Sequence, residues 1–144
     1  MGSARQAQGF TLIEMMIVVA MIAIIATIAL GSYRDSTVRA NRSAAASYTL
    51  EVANLQERFL LDNRAYAASM AALGATPPPE VSDNYTVTTT NDIDANGTVD
   101  SPPAYQVTAT PTGAQASDDT DCGWLRITNL GAKTSQHSGA RCWR

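Results

Sequence analysis

Two patterns of apolar and polar positions follow one another along the chain. From Gly9 to Leu30, GFTLIEMMIVVAMIAIIATIAL, apolar residues fall on every side of any helix drawn through them, and Glu14 is the sole charge. No charged residue stands between Met15 and Tyr33, which meets the roughly 20 residues a helix needs to cross the hydrocarbon core of a bilayer. Few soluble helices are apolar on all faces for that length. A secretory signal would show a shorter apolar region closed by a small-residue cleavage site, whereas here the helical pattern runs on past Ser32. The segment is therefore predicted to be a transmembrane helix. From residue 34 to 62 the helix continues with a different character. Val38, Ala45, Tyr48, Val52, Leu55 and Phe59 recur at three- and four-residue steps, and Arg39, Arg42, Glu51, Glu57 and Arg58 fall on the other faces.

A helix with one apolar stripe needs a cover, and the remainder of the chain supplies candidates. Three β-rich runs, YTVTTT at Tyr85–Thr90, AYQVTAT at Ala104–Thr110 and GWLRITN at Gly123–Asn129, are separated by Pro, Gly, Asn and Asp. They predict three or four antiparallel strands packed on the helix, an α+β fold.

Composition narrows the classes. A chain of 144 residues, 45% apolar and 16% charged, has room for one membrane segment and one modest soluble domain. The formal net charge of −3 lacks the basic footprint of a dedicated nucleic-acid module, while leaving open a local patch such as Arg34, Arg39 and Arg42. Arg5 before the span and these arginines after it give the positive-inside rule no clear direction. The two cysteines, Cys122 and Cys142, suit one closed loop in an oxidising compartment. With His137 they supply too few ligands for a structural zinc site. One histidine, and no catalytic carboxylate pair or phosphate-binding glycine loop, leave no enzyme constellation; Ser135 and Ser138 beside His137 are ordinary loop residues.

Glu14 is the residue that the membrane reading must explain. Near the first turn of a helix an acid gains about 0.3 to 1 kcal/mol from the macrodipole. Deep in the bilayer a charge costs about 2.5 to 3.5 kcal/mol on insertion scales, so the dipole alone does not offset burial. A positive partner does. Cutting the chain after Gly9 would create an amino group on Phe10, of ordinary pKa about 7.7 to 8.0, four residues from the carboxylate.

Gly9, Phe10, Thr11, Leu12, Ile13 and Glu14, followed by an apolar run, resemble the class III leader junction of type IV prepilins. The resemblance continues in LQERFLLDNRAYA and in the stretch from Tyr105 to Trp143, with its CG pair, late strand, glycine turn and terminal CW, which look like PilE-like minor pilins. The resemblance implies residues 1–9 as a leader removed by a prepilin peptidase, with cleavage at Gly9–Phe10 and N-methylation of Phe10. It implies residues 10–33 as the transmembrane and filament-core half of a long helix, residues 34–62 as its amphipathic half, and residues 63–144 as a globular pilin head. Glu14 would neutralise the terminal amine of a neighbouring subunit during assembly. The implied partners are other pilin subunits, the peptidase, the pilus assembly platform and the inner membrane that holds the subunit with its head in the periplasm before export to an extracellular pilus. Twitching motility, adhesion and DNA uptake are the implied activities. Where many pilins of this group carry a proline late in the membrane helix, this chain has Gly31.

By the same resemblance Cys122 and Cys142 bound the disulfide-closed loop near the carboxyl terminus. Trp124, Lys133, His137, Arg141, Trp143 and Arg144 lie in or beside it, either as a ligand surface or as packing and solvated groups. DIDANGTVD spaces Asp92, Asp94, Asn96 and Asp100 around Gly97 like the first part of a calcium loop. Pro103 occupies the place of the final bidentate glutamate, and Asn96-Gly97 equally suits a tight turn between two strands. Calcium is thus the one candidate cofactor, beside a plain polar hairpin loop. The expected function is a type IV pilus subunit; the alternatives are a type II secretion pseudopilin, a tip pilin that binds DNA or a surface receptor, and a simple membrane-anchored protein.

Overall fold

The computed structural model describes residues 10–94, 96–98, 100–137 and 141–143, with 28–30 as backbone only. The order of elements is α1 (Leu12–Asn63), α2 (Pro79–Ser82), β1 (Tyr85–Thr90), β2 (Gln106–Pro111), α3 (Gly113–Asp118), β3 (Leu125–Thr128) and β4 (Lys133–Ser135). The chain forms two compact units, one ending at Ser36 and one starting at Thr37.

In the first unit every described side chain from Phe10 to Thr27 is exposed. Among the described residues α1 is the one helix long and apolar enough to cross a membrane, and its most apolar window is 0% buried. An apolar surface of this size has no place in water. The helix runs unbroken through Gly31, which keeps the amide donor that proline would have removed.

The second unit is built on α1 from Thr37 onward. Its buried seam is Arg42, Ala45, Ala46, Tyr48, Thr49, Val52, Ala53 and Gln56, a spacing that keeps one face turned inward. This seam departs from the expected apolar stripe. Val38, Leu55 and Phe59 are only half-buried, whereas Arg42, assigned to the outer faces, is 9% exposed. The polar residues Arg42, Thr49 and Gln56 recur at seven-residue steps along the seam, and each has a partner. Thr49 Oγ1 donates to its own helix at the Ala45 carbonyl (2.7 Å). Gln56 Nε2 donates to the Ala67 carbonyl (2.9 Å) and to Thr89 Oγ1 (2.8 Å), while its Oε1 accepts from the Ala67 amide (2.8 Å). Arg64, just past the end of α1, takes a left-handed φ of 57° and returns its amide to the Leu60 carbonyl at 2.7 Å, closing the helix.

All strand pairs are antiparallel, in the order β1-β2-β3-β4. The two-residue period places Tyr85, Val87, Thr89, Val107, Ala109, Leu125 and Ile127 inward against the α1 seam. Tyr105 seals one end, its ring edge-on to Tyr66 at 4.6 Å and its hydroxyl reaching the Ala53 carbonyl at 3.4 Å. The three expected runs form strands and β4 makes the fourth, within the three or four anticipated; the short helices α2 and α3 lie outside that expectation. Asn96-Gly97 does not join adjacent strands in a tight turn: β1 ends at Thr90 and β2 starts at Gln106, so the pair lies within a long connection.

Candidate functional site

At the amino-terminal end of α1, Thr11 precedes the first helical residue and accepts the Glu14 amide on its Oγ1 at 3.3 Å. Thr11 and Glu14 thus stand in the Thr-x-x-Glu spacing of a capping box. Glu14 has a local reason to be acidic in addition to any partner in an assembly. Its side chain and that of Phe10 are exposed. Gly9, the expected cleavage position, lies outside the described residues.

At the other end of the chain Cys122 and Cys142 are bonded, closing a loop with a sequence separation of 20. Both cysteines are buried in the head's core, so the bond ties the tail to the sheet. Gly123 makes the turn into β3 with a φ of +61°, and a Cβ there would lie 2.8 Å from the Gln136 Cβ. Two tryptophan-cation pairs stand on this part of the fold. The Arg126 guanidinium lies 4.5 Å from the centroid of the Trp124 ring and donates from Nε to Thr108 Oγ1 at 3.1 Å. The Lys133 ammonium lies 5.6 Å from the Trp143 ring, whose indole N–H donates to the Thr134 carbonyl at 3.0 Å. Lys133, His137 and Arg141 are exposed, and Trp124, Arg126 and Trp143 are half-buried. Arg144 and Ser138 lie outside the described residues.

The arginine patch after the apolar segment divides. Arg34 and Arg39 are exposed, but Arg42 points inward and forms a bidentate pair with Asp119, Nη2 to Oδ1 at 2.6 Å and Nε to Oδ2 at 2.9 Å. Tyr85 Oη donates to Asp119 Oδ2 at 2.9 Å. Gln115 Nε2 donates to the Tyr85 oxygen at 2.9 Å and to the Val38 carbonyl at 3.1 Å. Burial, followed by the Asp119 charge and hydrogen bond, pushes the Tyr85 phenol well above its ordinary range. Burial works against the charged form of Arg42, yet Asp119 outweighs it and holds the guanidinium above its usual pKa. Nothing in the sequence singles out Asp119, one of several acids in SDDTD. Its role arises because α3 places it 77 residues along the chain from Arg42.

In the β1–β2 connection, carboxylate oxygens of Asp92, Asp94 and Asp100 lie within 4.8 Å of one another. Two of these carboxylates already accept main-chain amides: Asp92 from Asn96 (3.1 Å) and Gly97 (2.8 Å), and Asp100 from Ile93 (2.9 Å). The three carboxylates are close enough to offer oxygens to one cation, and their bonds to main-chain amides also shape the loop. Next to it, Ile93, Pro103 and Leu130 help line a groove of about 490 Å³ against the β3–β4 turn.

Comparison with known proteins agrees with this architecture. The family described as "Type IV minor pilin ComP, DNA uptake sequence receptor" matches residues 31–126, and the prokaryotic N-terminal methylation motif matches residues 4–30. The wide-pilus major component PilA4 of Thermus thermophilus is 39% identical over 69 residues, covering 48% of this chain and 53% of its own length. The major pilin PilE1 of Neisseria gonorrhoeae is 34% identical over 79 residues, 54% of this chain and 48% of that protein. The chain spans about half the length of these curated relatives. A type IV pilin structure from Shewanella oneidensis superposes with a TM-score of 0.52 at 22% identity, covering 74% of this chain and 98% of that one, and shows the shared fold. An apolar helix opened by Thr11 and Glu14, a four-stranded meander closed by a carboxyl-terminal disulfide, and a match across two thirds of the sequence place this chain in the family of the type IV minor pilin ComP.

Proposed function

We propose that the protein is a minor subunit of a type IV pilus whose head binds DNA for uptake. A prepilin peptidase would cut after Gly9 and methylate Phe10. The exposed apolar helix would sit in the inner membrane, with the head in the periplasm. It would then exchange lipid for neighbouring helices in the filament, with Glu14 facing the amine of an adjacent Phe10. The pilus assembly platform would drive this transfer.

The observation that carries the DNA reading is the pair of tryptophan-cation contacts, Arg126 on Trp124 and Lys133 on Trp143, with Arg141 exposed in the same disulfide-closed loop. Cations draw phosphate and aromatic rings accept bases, a combination that works in a chain of net negative charge because it is local. The full chain in detergent micelles is the material for the test. DNA binding should weaken steeply with salt, and Arg126→Ala with Lys133→Ala should lower the log–log salt slope by roughly one for each phosphate no longer neutralised. Binding unaffected by both substitutions would remove this face from the reading.

The convergence of Asp92, Asp94 and Asp100, with Asn96 beside them, favours a calcium ion in that loop as a second, separate reading. At about 10 mM calcium and a Kd of about 1 mM, typical of extracellular sites, binding adds about 1.4 kcal/mol. A calcium-dependent rise in melting temperature that Asp94→Ala abolishes would support it, and an unchanged melting curve would dismiss it.

A further inference from the structure

We propose that Asn96 is a self-modifying position: the folded β1–β2 loop promotes loss of its side-chain ammonia through attack by the main-chain nitrogen of Gly97. Asn96 is the one asparagine followed by glycine in the sequence. The loop places a base at the nucleophile and two donors at the carbonyl oxygen of the electrophile. The nucleophile, the Gly97 amide, donates to Asp92 Oδ2 at 2.8 Å, so a carboxylate stands ready to take its proton. Asp92 Oδ1 accepts the preceding amide, that of Asn96, at 3.1 Å, which holds the carboxylate in place. The electrophile is the Asn96 amide carbon. Its Oδ1 accepts both the Thr98 amide, at 2.8 Å, and the Thr98 hydroxyl, two donors aimed where negative charge develops. The leaving nitrogen, Nδ2, donates to Asp94 Oδ2 at 2.7 Å. Gly97 has a φ of +83° and carries no side chain, and apart from its two chain neighbours nothing lies within 4 Å of where a Cβ would stand, so the nucleophile sits in an open part of the loop.

The step balances without an oxidant or reductant. As the Gly97 nitrogen bonds to the Asn96 amide carbon, its proton passes to Asp92. The bond from that carbon to Nδ2 then breaks, and the nitrogen departs as ammonia with the proton that Gly97 gave up. Asp92 returns to its starting state and a cyclic succinimide remains. Water opens the ring to aspartate or isoaspartate. The net change is one water consumed and one ammonia released. The product places a further carboxylate beside Asp92, Asp94 and Asp100, and replaces the Asn96–Asp94 hydrogen bond by like-charge repulsion. The charge of this exposed loop thus becomes a record of subunit age.

The test compares folded and unfolded contexts. The full chain in detergent micelles with EDTA and a synthetic peptide of residues 90–101 are aged side by side at neutral pH. Digestion and mass spectrometry then follow aspartate and isoaspartate at position 96. The folded chain should convert faster than the peptide by about tenfold or more, as a positioned base and two oxyanion donors would give. Asp92→Asn and Thr98→Val should each bring the rate down toward the peptide's, with the circular dichroism spectrum unchanged. Conversion at or below the peptide's rate, or variants that age as fast as the parent chain, would overturn the proposal by showing that the loop does not activate Asn96.

Discussion

Removing the Arg42 guanidinium takes away the charge partner of the Asp119 carboxylate, whose side chain is fully buried, and leaves it the Tyr85 hydroxyl. Breaking a buried pair on one side costs about 3 to 5 kcal/mol, whereas replacing both partners by apolar groups of similar volume is often neutral. Urea unfolding should therefore show a large loss for Arg42→Met and recovery of most of it in Arg42→Met with Asp119→Leu. Tyr85→Phe removes one donor to Asp119 and one of the acceptors of Gln115, a loss of about 1.5 to 3 kcal/mol for a bond to a charged group. Tyr85 also sets a pH dependence. Its folded pKa lies above the unfolded value, first through burial and then through Asp119. The neutral phenol is thus favoured in the fold. The contribution is whole below the unfolded pKa of about 10 and is lost as pH rises above it. Stability measured upward from pH 9 should fall beyond that point, with a shallower slope in Tyr85→Phe.

At the scale of elements, β4 spans only Lys133–Ser135, and among the described residues the tail beyond it is held by the bond from Cys122 to Cys142 and by the Trp143 indole on the Thr134 carbonyl. Closing a loop with a separation of 20 removes unfolded-state entropy worth roughly 3 kcal/mol in the chain-entropy model. Replacing both cysteines by alanine should lower unfolding stability by about that amount. Gly123→Ala tests the turn that leads into β3. It forces a side chain into the left-handed region and against Gln136, so a cost of about 1 to 3 kcal/mol is expected in the same assay. These elements differ in how readily they can be read from the chain. The strands at Tyr85, Gln106 and Leu125 announce themselves by alternation and by flanking turn residues. The short helix α3 does not, because GAQASD offers neither an apolar period nor a side-chain cap.

For the whole molecule the decisive question is where the exposed apolar helix goes. Glu14→Leu should leave membrane insertion intact or improved, because it removes a charge that insertion scales penalise. It should also sharply reduce the amount of the subunit in sheared surface filaments, as compared by quantitative mass spectrometry of filament and membrane fractions. In the parent chain the same experiment should find a peptide that begins at N-methylated Phe10. An uncleaved chain confined to membranes would contradict assembly.

The two-part character of this protein is already written in the order of its residues: an unbroken apolar run can lie only in lipid or among other apolar helices, and period-two strands require a covering surface. Both are local or compositional constraints that need no partner to be visible. The cysteine pair is legible in the same way and forms the expected bond, and Glu14 and the acidic spacing at Asp92 stand out because their residue types restrict what they can do. Which face of α1 turns inward emerges only on folding. Arg42 and Gln56 look like surface residues until Asp119 and Thr89 arrive from distant parts of the chain, and Ala67 from the turn after α1, to satisfy them. A polar group can be buried only where its hydrogen bonds are met, and those partners are chosen by the fold rather than by sequence neighbours. The loop beside Asn96 follows the same rule, because the dipeptide is visible in the sequence while Asp92, Asp94 and Thr98 reach its reacting atoms only once the loop is closed.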